Sequence, residues 1–464
     1  MTSLFGILGV GANGLNASSF GTNVTSQNAS NVATDGYSRR IATLEPIGPP
    51  PEGGFGARAS GARRTVDIFL ERRLLGARSL TGEAAARART LGILDSVLAE
   101  SSGMGDAFDQ FQTAIADLAA HPNDRSARTV VLERADAVAQ AFRSAADAIA
   151  TARSDANDYI EDEVRQVNVK LSEIASLGAQ ISKAEIGGQE ASDLRDRRDQ
   201  LVREVADFIP VTQIEDSTGR ISLLLAGSLP LVSPDGQVGQ LEAAIDASSG
   251  DMHVYKFAAG ARTDVTAVIT SGSIGGALAG RDGALADAAN DLDQLAWDFA
   301  AAYNATHSAG VGLDGIGGRN LFEPPAAVAG AAAAMALSTD VAGLPDELAA
   351  ATYAGALPGD NTNALALQAL QDTLIASGGT RTAGQAFEAL IGSAGSALQS
   401  ANLGVERTAD ALAQLVELRE SVSGVSLDEE MIALTRFQRA YQASLRVVET
   451  ADQMLGELME IARR

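Results

Sequence analysis

SVSGVSLDEEMIALTRFQRAYQASLRVVETADQMLGELMEIARR, Ser421 to Arg464, is the stretch whose periodicity decides the fold. Gly424 and Val425 lead into Ser426, whose hydroxyl can cap a helix while Glu429, three residues on, reaches back to the cap's own N–H. The helix therefore starts near Leu427. Asp428, Glu429 and Glu430 then place negative charge at its positive end. Leu427, Met431, Leu434, Tyr441, Leu445, Val448, Leu455 and Met459 follow three and four apart, with Phe437, Ala451 and Leu458 widening the stripe. No Gly or Pro interrupts it before Gly456, so it spans roughly 50 Å at about 1.5 Å per residue. Such a rod presents a seam to another helix.

The opposite terminus is the expected partner. Met1 to Thr34 contains no charged side chain, and Leu4, Leu8, Gly11, Leu15, Ser18, Thr22, Thr25, Ala29 and Val32 repeat the same spacing with mostly small residues. Gly6, Gly9, Gly11, Gly14 and Gly21 each cost about 1 kcal/mol relative to Ala in a helix, so packing must supply roughly 5 kcal/mol. A segment of this kind is disordered alone and helical when docked. Beyond it, in Asn28-Ala29-Ser30-Asn31-Val32-Ala33-Thr34-Asp35-Gly36-Tyr37-Ser38-Arg39, Gly36 can adopt the left-handed conformation that ends a helix and Tyr37 can anchor the exit.

These two ends resemble those of the bacterial flagellar axial proteins, whose rod, hook and junction members carry an Asn-containing motif ending in Gly-aromatic after an N-terminal helix, and a long C-terminal helix. Asn31 to Arg39 carry the first likeness. Ser423 to Glu430, followed by Arg436-Phe437-Gln438 and Tyr441, carry the second. Within the group, Gly36-Tyr37-Ser38-Arg39 and the Val425-to-Glu430 run resemble the hook-associated FlgK family. The resemblance implies a ring of identical subunits between the hook protein and a second junction protein on the filament side. It further implies export through the flagellar type III apparatus, and an export chaperone on the C-terminal helix.

The net charge of −24 argues against nucleic acid as a partner, because phosphate binding needs clustered Lys and Arg. With no cysteine there is no disulfide framework and no thiol chemistry. Aromatics make up only 4%, which favours thin helical packing. Leu4 to Ala12 resembles the apolar core of a signal peptide, but no basic residue precedes it and no cleavage pattern follows. No run reaches the roughly 18 apolar residues of a membrane span.

Between the ends, residues 41–80, with Pro46 and Pro49 to Pro51, read as a linker followed by a Val66-Ile68-Leu70 strand or arm. A helical stripe runs from Leu91 to Leu118, with a break near Ser101 to Gly105. A longer one runs from Val131 to Ile181 with a register shift near Tyr159. Asp193 to Leu201 reads as a charged, solvated helix face. Five short runs ending at Val265–Ile269 alternate with turns at Ser217-Thr218-Gly219, Pro234-Asp235-Gly236 and Ser249-Gly250-Asp251, which predicts a small antiparallel sheet. Leu292, Leu295, Phe299 and Tyr303 mark a helix, with Trp297 as a packing residue. Residues 308–363 are Gly/Ala/Pro-rich and aperiodic; the resemblance implies that many relatives carry an outer β domain about here, and this sequence departs from that pattern because no strands here are long enough for one. Phe387 to Leu415 form a last stripe.

The expected fold is mainly α: a discontinuous rod of long helices contributed by both chain ends, with a small antiparallel β excursion. The divisions are a terminal coiled coil of 1–40 plus 421–464, a helical rod of 41–210 plus 275–420, a β region of 211–274 and an irregular loop of 308–363. No catalytic, cofactor or metal site is assigned. Gly9-Gly11-Gly14 and Gly310-Gly312-Gly315 match a dinucleotide fingerprint but do not lie between a strand and a helix, and His121, His253 and His307 are too dispersed for a zinc pair. The residues assigned to assembly are Leu4, Leu8, Leu15, Val32, Leu427, Met431, Leu434, Phe437, Tyr441, Leu445, Val448 and Leu455. Those assigned to the motif and cap are Asn31, Gly36, Tyr37, Arg39, Ser426, Asp428 and Glu429. Three alternatives stay open: another axial protein of hook, rod or filament; an exported enzyme, which would need a cleft with perturbed carboxylates; and a coiled-coil adhesin or needle-tip protein, whose termini would be ordered in the monomer.

Overall fold

The computed structural model describes residues 4–48, 56–100, 103–216, 218–247, 250–258 and 260–463. Pro49 to Pro51 and the turn residues Ser217 and Ser249, like Ser101 in the expected break, lie outside the described residues. The first and last helices, α1 (Leu4–Ser30) and α10 (Leu427–Arg463), pack along their length. Gly11 faces Val448, Gly21 faces Phe437 and Asn28 bonds Glu430, so the pair is antiparallel.

Residues 41–80 are not a linker. β1 (Arg40–Pro46) and β2 (Ala57–Arg64) form an antiparallel hairpin with Arg40 opposite Arg64, lying against α1. The expected strand at Val66–Leu70 is also corrected, because Ile68 opens α2 (Ile68–Glu100). The Asp67 carboxylate accepts the N–H groups of Phe69 and Leu70 at 2.9 and 3.1 Å, satisfying two orphan donors of the first turn. A three-residue alternation cannot outweigh a capped helix.

After α3 (Gly103–Ala120), Asp124 caps α4 (Arg125–Ala184), an unbroken helix of 60 residues and roughly 90 Å. Its buried residues alternate by four and three until Ala152, Ala156, Ile160 and Val164 follow one another by four. This stutter is the register shift read near Tyr159, and there α4 passes from one core to another. The first core joins α3, the N-terminal half of α4 and a cluster of rings: Phe108, Phe111, Phe142, Phe299, Tyr303 and Phe322. The second joins the C-terminal half of α4 to α5 (Ser192–Phe208) and the β region.

That region holds two three-stranded antiparallel sheets. One is β3 (Val211–Glu215), β4 (Ile221–Leu225) and β5 (Leu229–Val232); the other is β6 (Gln240–Ile245), β7 (Met252–Ala258) and β8 (Ala261–Asp264). The run expected as the last strand, Val265–Ile269, is instead centred on a 3-10 turn that buries Val265 and Ile269. α6 (Gly272–Ala279) follows and leads through a π-helical turn into α7 (Ala286–Ser308), on which Trp297 packs against the first core.

Residues 309–361 contain little regular structure, yet they form a packed cap over the first core. Side chains on the helices bind its backbone. Asn304 accepts the N–H groups of Leu321 and Phe322 at 2.9 and 2.8 Å, Asp293 those of Gly330 and Ala332 at 2.7 and 3.0 Å, and buried Arg128 donates to the Leu348 carbonyl at 2.6 Å. α8 (Thr362–Ala369) leads to α9 (Ala383–Ser423), which runs antiparallel along α2 and ends at Gly424 before α10.

Candidate functional site: the terminal helix pair and its joint

The side of α1 that meets α10 is Gly11, Gly14, Ser18, Gly21, Thr25 and Asn28, at three/four spacing. A Cβ on Gly11 would lie 2.6 Å from Cγ2 of Val448, and on Gly14 and Gly21 it would meet Ser444 and the Phe437 ring closer still. Glycines counted as a helical penalty are thus the contact itself, because their missing Cβ atoms let the two backbones approach. The seam therefore differs from the one expected: Leu4, Leu8 and Leu15 are half-buried, and Val32 lies past the helix end and is exposed.

On α10, Glu430 and Ala451 are buried, while Leu434, Phe437, Ser444, Val448 and Leu455 are half-buried. Leu427, Met431, Tyr441 and Leu445 are exposed, as are Ile432, Met454, Leu458 and Met459. Met431 is 58% and Ile432 71% accessible. One α10 face is used by α1, and beside it Leu427, Met431, Tyr441, Leu445 and Met459 form a second apolar face that is left open.

Asn28 ties the helix pair to the hairpin. Its Nδ2 donates to the Arg40 carbonyl at 2.8 Å and to Glu430 Oε2 at 3.0 Å, while its Oδ1 accepts the Tyr37 hydroxyl at 2.9 Å and the Arg40 N–H at 3.1 Å. All four amide positions are used. Asn31, the motif residue singled out from the sequence, only closes the local turn, donating to Gln27 and accepting from Thr34. Gly36 takes φ of +79°, and buried Tyr37 has its hydroxyl held above its usual pKa by desolvation.

The capping arrangement also differs. Glu429 reaches Arg39 at 2.5 Å instead of the Ser426 amide, and Arg39 bonds Glu430 at 2.7 Å. A two-carboxylate fork for one guanidinium outweighs a neutral N–H as partner. Ser426 contributes its carbonyl to the first helical bond, from Glu430 N–H, and Asp428 stays exposed at the helix start.

Asp193 to Leu201 is not a solvated face. Arg40 pairs with Asp193 and Asp196, and Arg64 pairs with Glu190, Asp196 and Asp199, each at 2.9 Å. Arg198, fully buried, bonds Asp199 and the Gly219 carbonyl. Burial alone would raise the Asp199 pKa, but Arg198 and Arg64 overcome it and hold the carboxyl below its usual range. On the other side of the joint, Glu71 accepts from Arg203 at 3.0 Å and from Arg419 at 3.1 Å, and Arg419 reaches the Gly36 carbonyl. Asn28, Arg40, Arg64, Asp196, Asp199, Arg419 and Glu430 were missed as site residues. The alternating charges of α5 were their one visible signal, and the contacts that join α5, the hairpin and the two terminal helices span more than a hundred residues.

A family model described as "Flagellar hook-associated protein FlgK helical domain" matches residues 91–322, half of the sequence. The chain belongs to the FlgK family of flagellar hook-associated proteins. A second model, "Flagellar basal body rod FlgEFG protein C-terminal", matches residues 420–461, which are essentially α10. Among FlgK-family relatives, flagellar hook-associated protein 1 of Bacillus subtilis is 28% identical, covering 99% of this chain and 98% of that protein. Flagellar hook-associated protein 1 of Salmonella typhimurium is 26% identical, covering 97% and 98%. That second alignment occupies 543 positions against 464 residues here, so the relative carries segments this chain lacks. The solved structure of the flagellar hook junction protein FlgK from Burkholderia pseudomallei superposes with a TM-score of 0.68 at 16% identity, covering 76% of this chain and all of that one, and shows the shared fold. Among the described residues, no helix of this FlgK-family chain is long and apolar enough to cross a membrane.

Proposed function

We propose that this chain is the structural subunit joining hook to filament. In this reading it forms a ring of identical copies between the hook protein and a second junction protein, and performs no catalysis. The observation that carries the proposal is the open apolar face of α10, on a helix whose other face is occupied by α1. Such a face costs free energy in water and is stabilised when neighbouring copies cover it. The exposed surface of 23130 Å² supports the same reading, since a compact 47.6 kDa protein exposes only about 16,000 Å².

The chain leaves the cell unfolded through the flagellar export apparatus, and its terminal helices order as they pack on their neighbours, so that ordering entropy is offset in the assembly. Before export, a chaperone covers the Phe437, Tyr441, Leu445 and Val448 region by helix-in-groove recognition. Functionally, 1–40 plus 421–464 serve as the axial module, while 41–210 plus 275–420 and the β region of 211–274 form the outer body.

Deleting the gene and imaging the cells by electron microscopy, with a blot of the medium for filament protein, tests this. Bare hooks with filament subunits shed into the medium are expected. Normal filaments would overturn the junction role, and absent hooks would move the protein to the rod or hook class.

A further inference from the structure

Residues 57–89 hold eight arginines against three acidic residues, in a chain whose net charge is −24. Five of the eight have partners: Arg58 with Glu45, Arg64 with α5, Arg78 with Asp207, Arg87 beside Glu83, and Arg89 over the Tyr159 ring. Arg63, Arg72 and Arg73 are exposed and make no ion pair among the described residues. They surround Ile68 and Phe69, which are 63% and 76% accessible. Beside them a cleft of about 380 Å³ opens between the start of α2 and β3, with Val66, Leu75 and Ile214 among its walls. Exposed arginine around an aromatic residue and an open cleft is the composition of an interface centre.

A surface of opposite character lies on α9. Leu403, Glu406, Asp410 and Glu417 form an exposed stripe at helical spacing, and none of its three acids is ion-paired among the described residues. Position along the rod relates the two surfaces. Thr81 bonds Thr408 and Glu71 bonds Arg419 across the antiparallel α2–α9 pair, which places Arg73 level with Glu417. Glu406, Asp410 and Glu417 each stand two residues, about 200° of helix turn, from Thr408 or Arg419, the residues that bond α2, so the stripe lies on the side of α9 away from α2 and its patch. Two different surfaces at one height, with opposite charge, are what a head-to-tail ring of identical subunits requires.

We propose that the Arg63/Arg72/Arg73 patch, with Ile68 and Phe69, docks on the α9 acidic stripe of a second copy. The contact rests on the ring proposed above and assigns its lateral interface outside the terminal helices. Steering by opposite charge brings the copies into register, and Phe69 is the apolar anchor once they meet.

The native chain has no cysteine, which makes the test clean. Two tagged forms, Arg72→Cys and Asp410→Cys, are expressed together in the deletion strain under mild oxidation, with each form alone as control. A disulfide joining the two differently tagged copies is expected in assembled flagella, at least ten-fold above either control. Its absence from cells with attached filaments would overturn the lateral contact and leave the junction role standing. A cross-link in the Arg72→Cys strain alone would overturn it too, because it would make the contact symmetric. Should either form fail to assemble, Arg63→Cys with Glu406→Cys supplies the same reading, and the double reversal Arg72→Glu with Asp410→Arg should recover motility that Arg72→Glu alone loses.

Discussion

At the scale of single residues, the helix pair depends on what glycine lacks and on what one asparagine supplies. Gly21→Ala places a methyl group inside the Phe437 ring contact and should lower the opening free energy of α1 by about 1–3 kcal/mol, speeding its amide exchange roughly ten- to hundred-fold. Gly9 has open space beside it, so Gly9→Ala should act in the opposite direction and slow exchange by up to about five-fold. Equal effects of the two substitutions would mean that propensity, and not close approach, sets the stability of α1. Asn28→Ala strands the Tyr37 hydroxyl and the Arg40 N–H in a buried setting, at a cost of about 2–4 kcal/mol. The readout is the Arg40 amide, whose exchange protection should vanish while that of α4 is retained.

Among the elements, the cap of residues 309–361 carries the clearest pH dependence. His307 is fully buried, with Nδ1 donating to the Arg319 carbonyl at 2.8 Å and Nε2 accepting the Ala349 N–H at 2.9 Å, an arrangement only the neutral ring can make. Burial pushes its pKa below the ordinary 6.5. The unfolded chain therefore binds a proton as pH falls below about 6.5 that the folded chain refuses, so stability is lost toward acid; above that pH the ring is neutral in both states and contributes no slope. Urea midpoints should fall between pH 7.5 and 5.5, by at most about 1.4 kcal/mol per pH unit from this group, and His307→Gln should remove that part of the slope. An unchanged slope in the variant would assign it to other groups.

For the whole molecule, both apolar cores lie within residues 75–394, and among the described residues the terminal pair adds no core of its own. Amides of α4 should therefore exchange only through global unfolding, while those of α1 and α10 exchange on the order of a thousand-fold faster in the isolated chain and become protected in the assembled flagellum. Terminal helices as protected as α4 in the isolated chain would overturn coupled folding and assembly. The large surface belongs to the same picture: among the described residues α9 reaches only the first core and α10 neither, so much of both helices is exposed.

The sequence by itself determined what rests on local periodicity: long helices at both ends, the register shift in α4, a β excursion in the middle, and a start for α10 at Leu427. Asn31-to-Arg39 and Ser423-to-Tyr441 also carried the family likeness, because those signals are contiguous. Only the tertiary structure decided which side of each element does the work. Glycines in α1 read as a cost because a propensity describes an isolated helix, whereas their benefit exists only with Phe437 and Val448 across the seam. The charges of α5 read as solvated because Arg40 and Arg64, which neutralise them, are about 130 to 160 residues distant, and Coulomb attraction depends on separation in space and not along the chain.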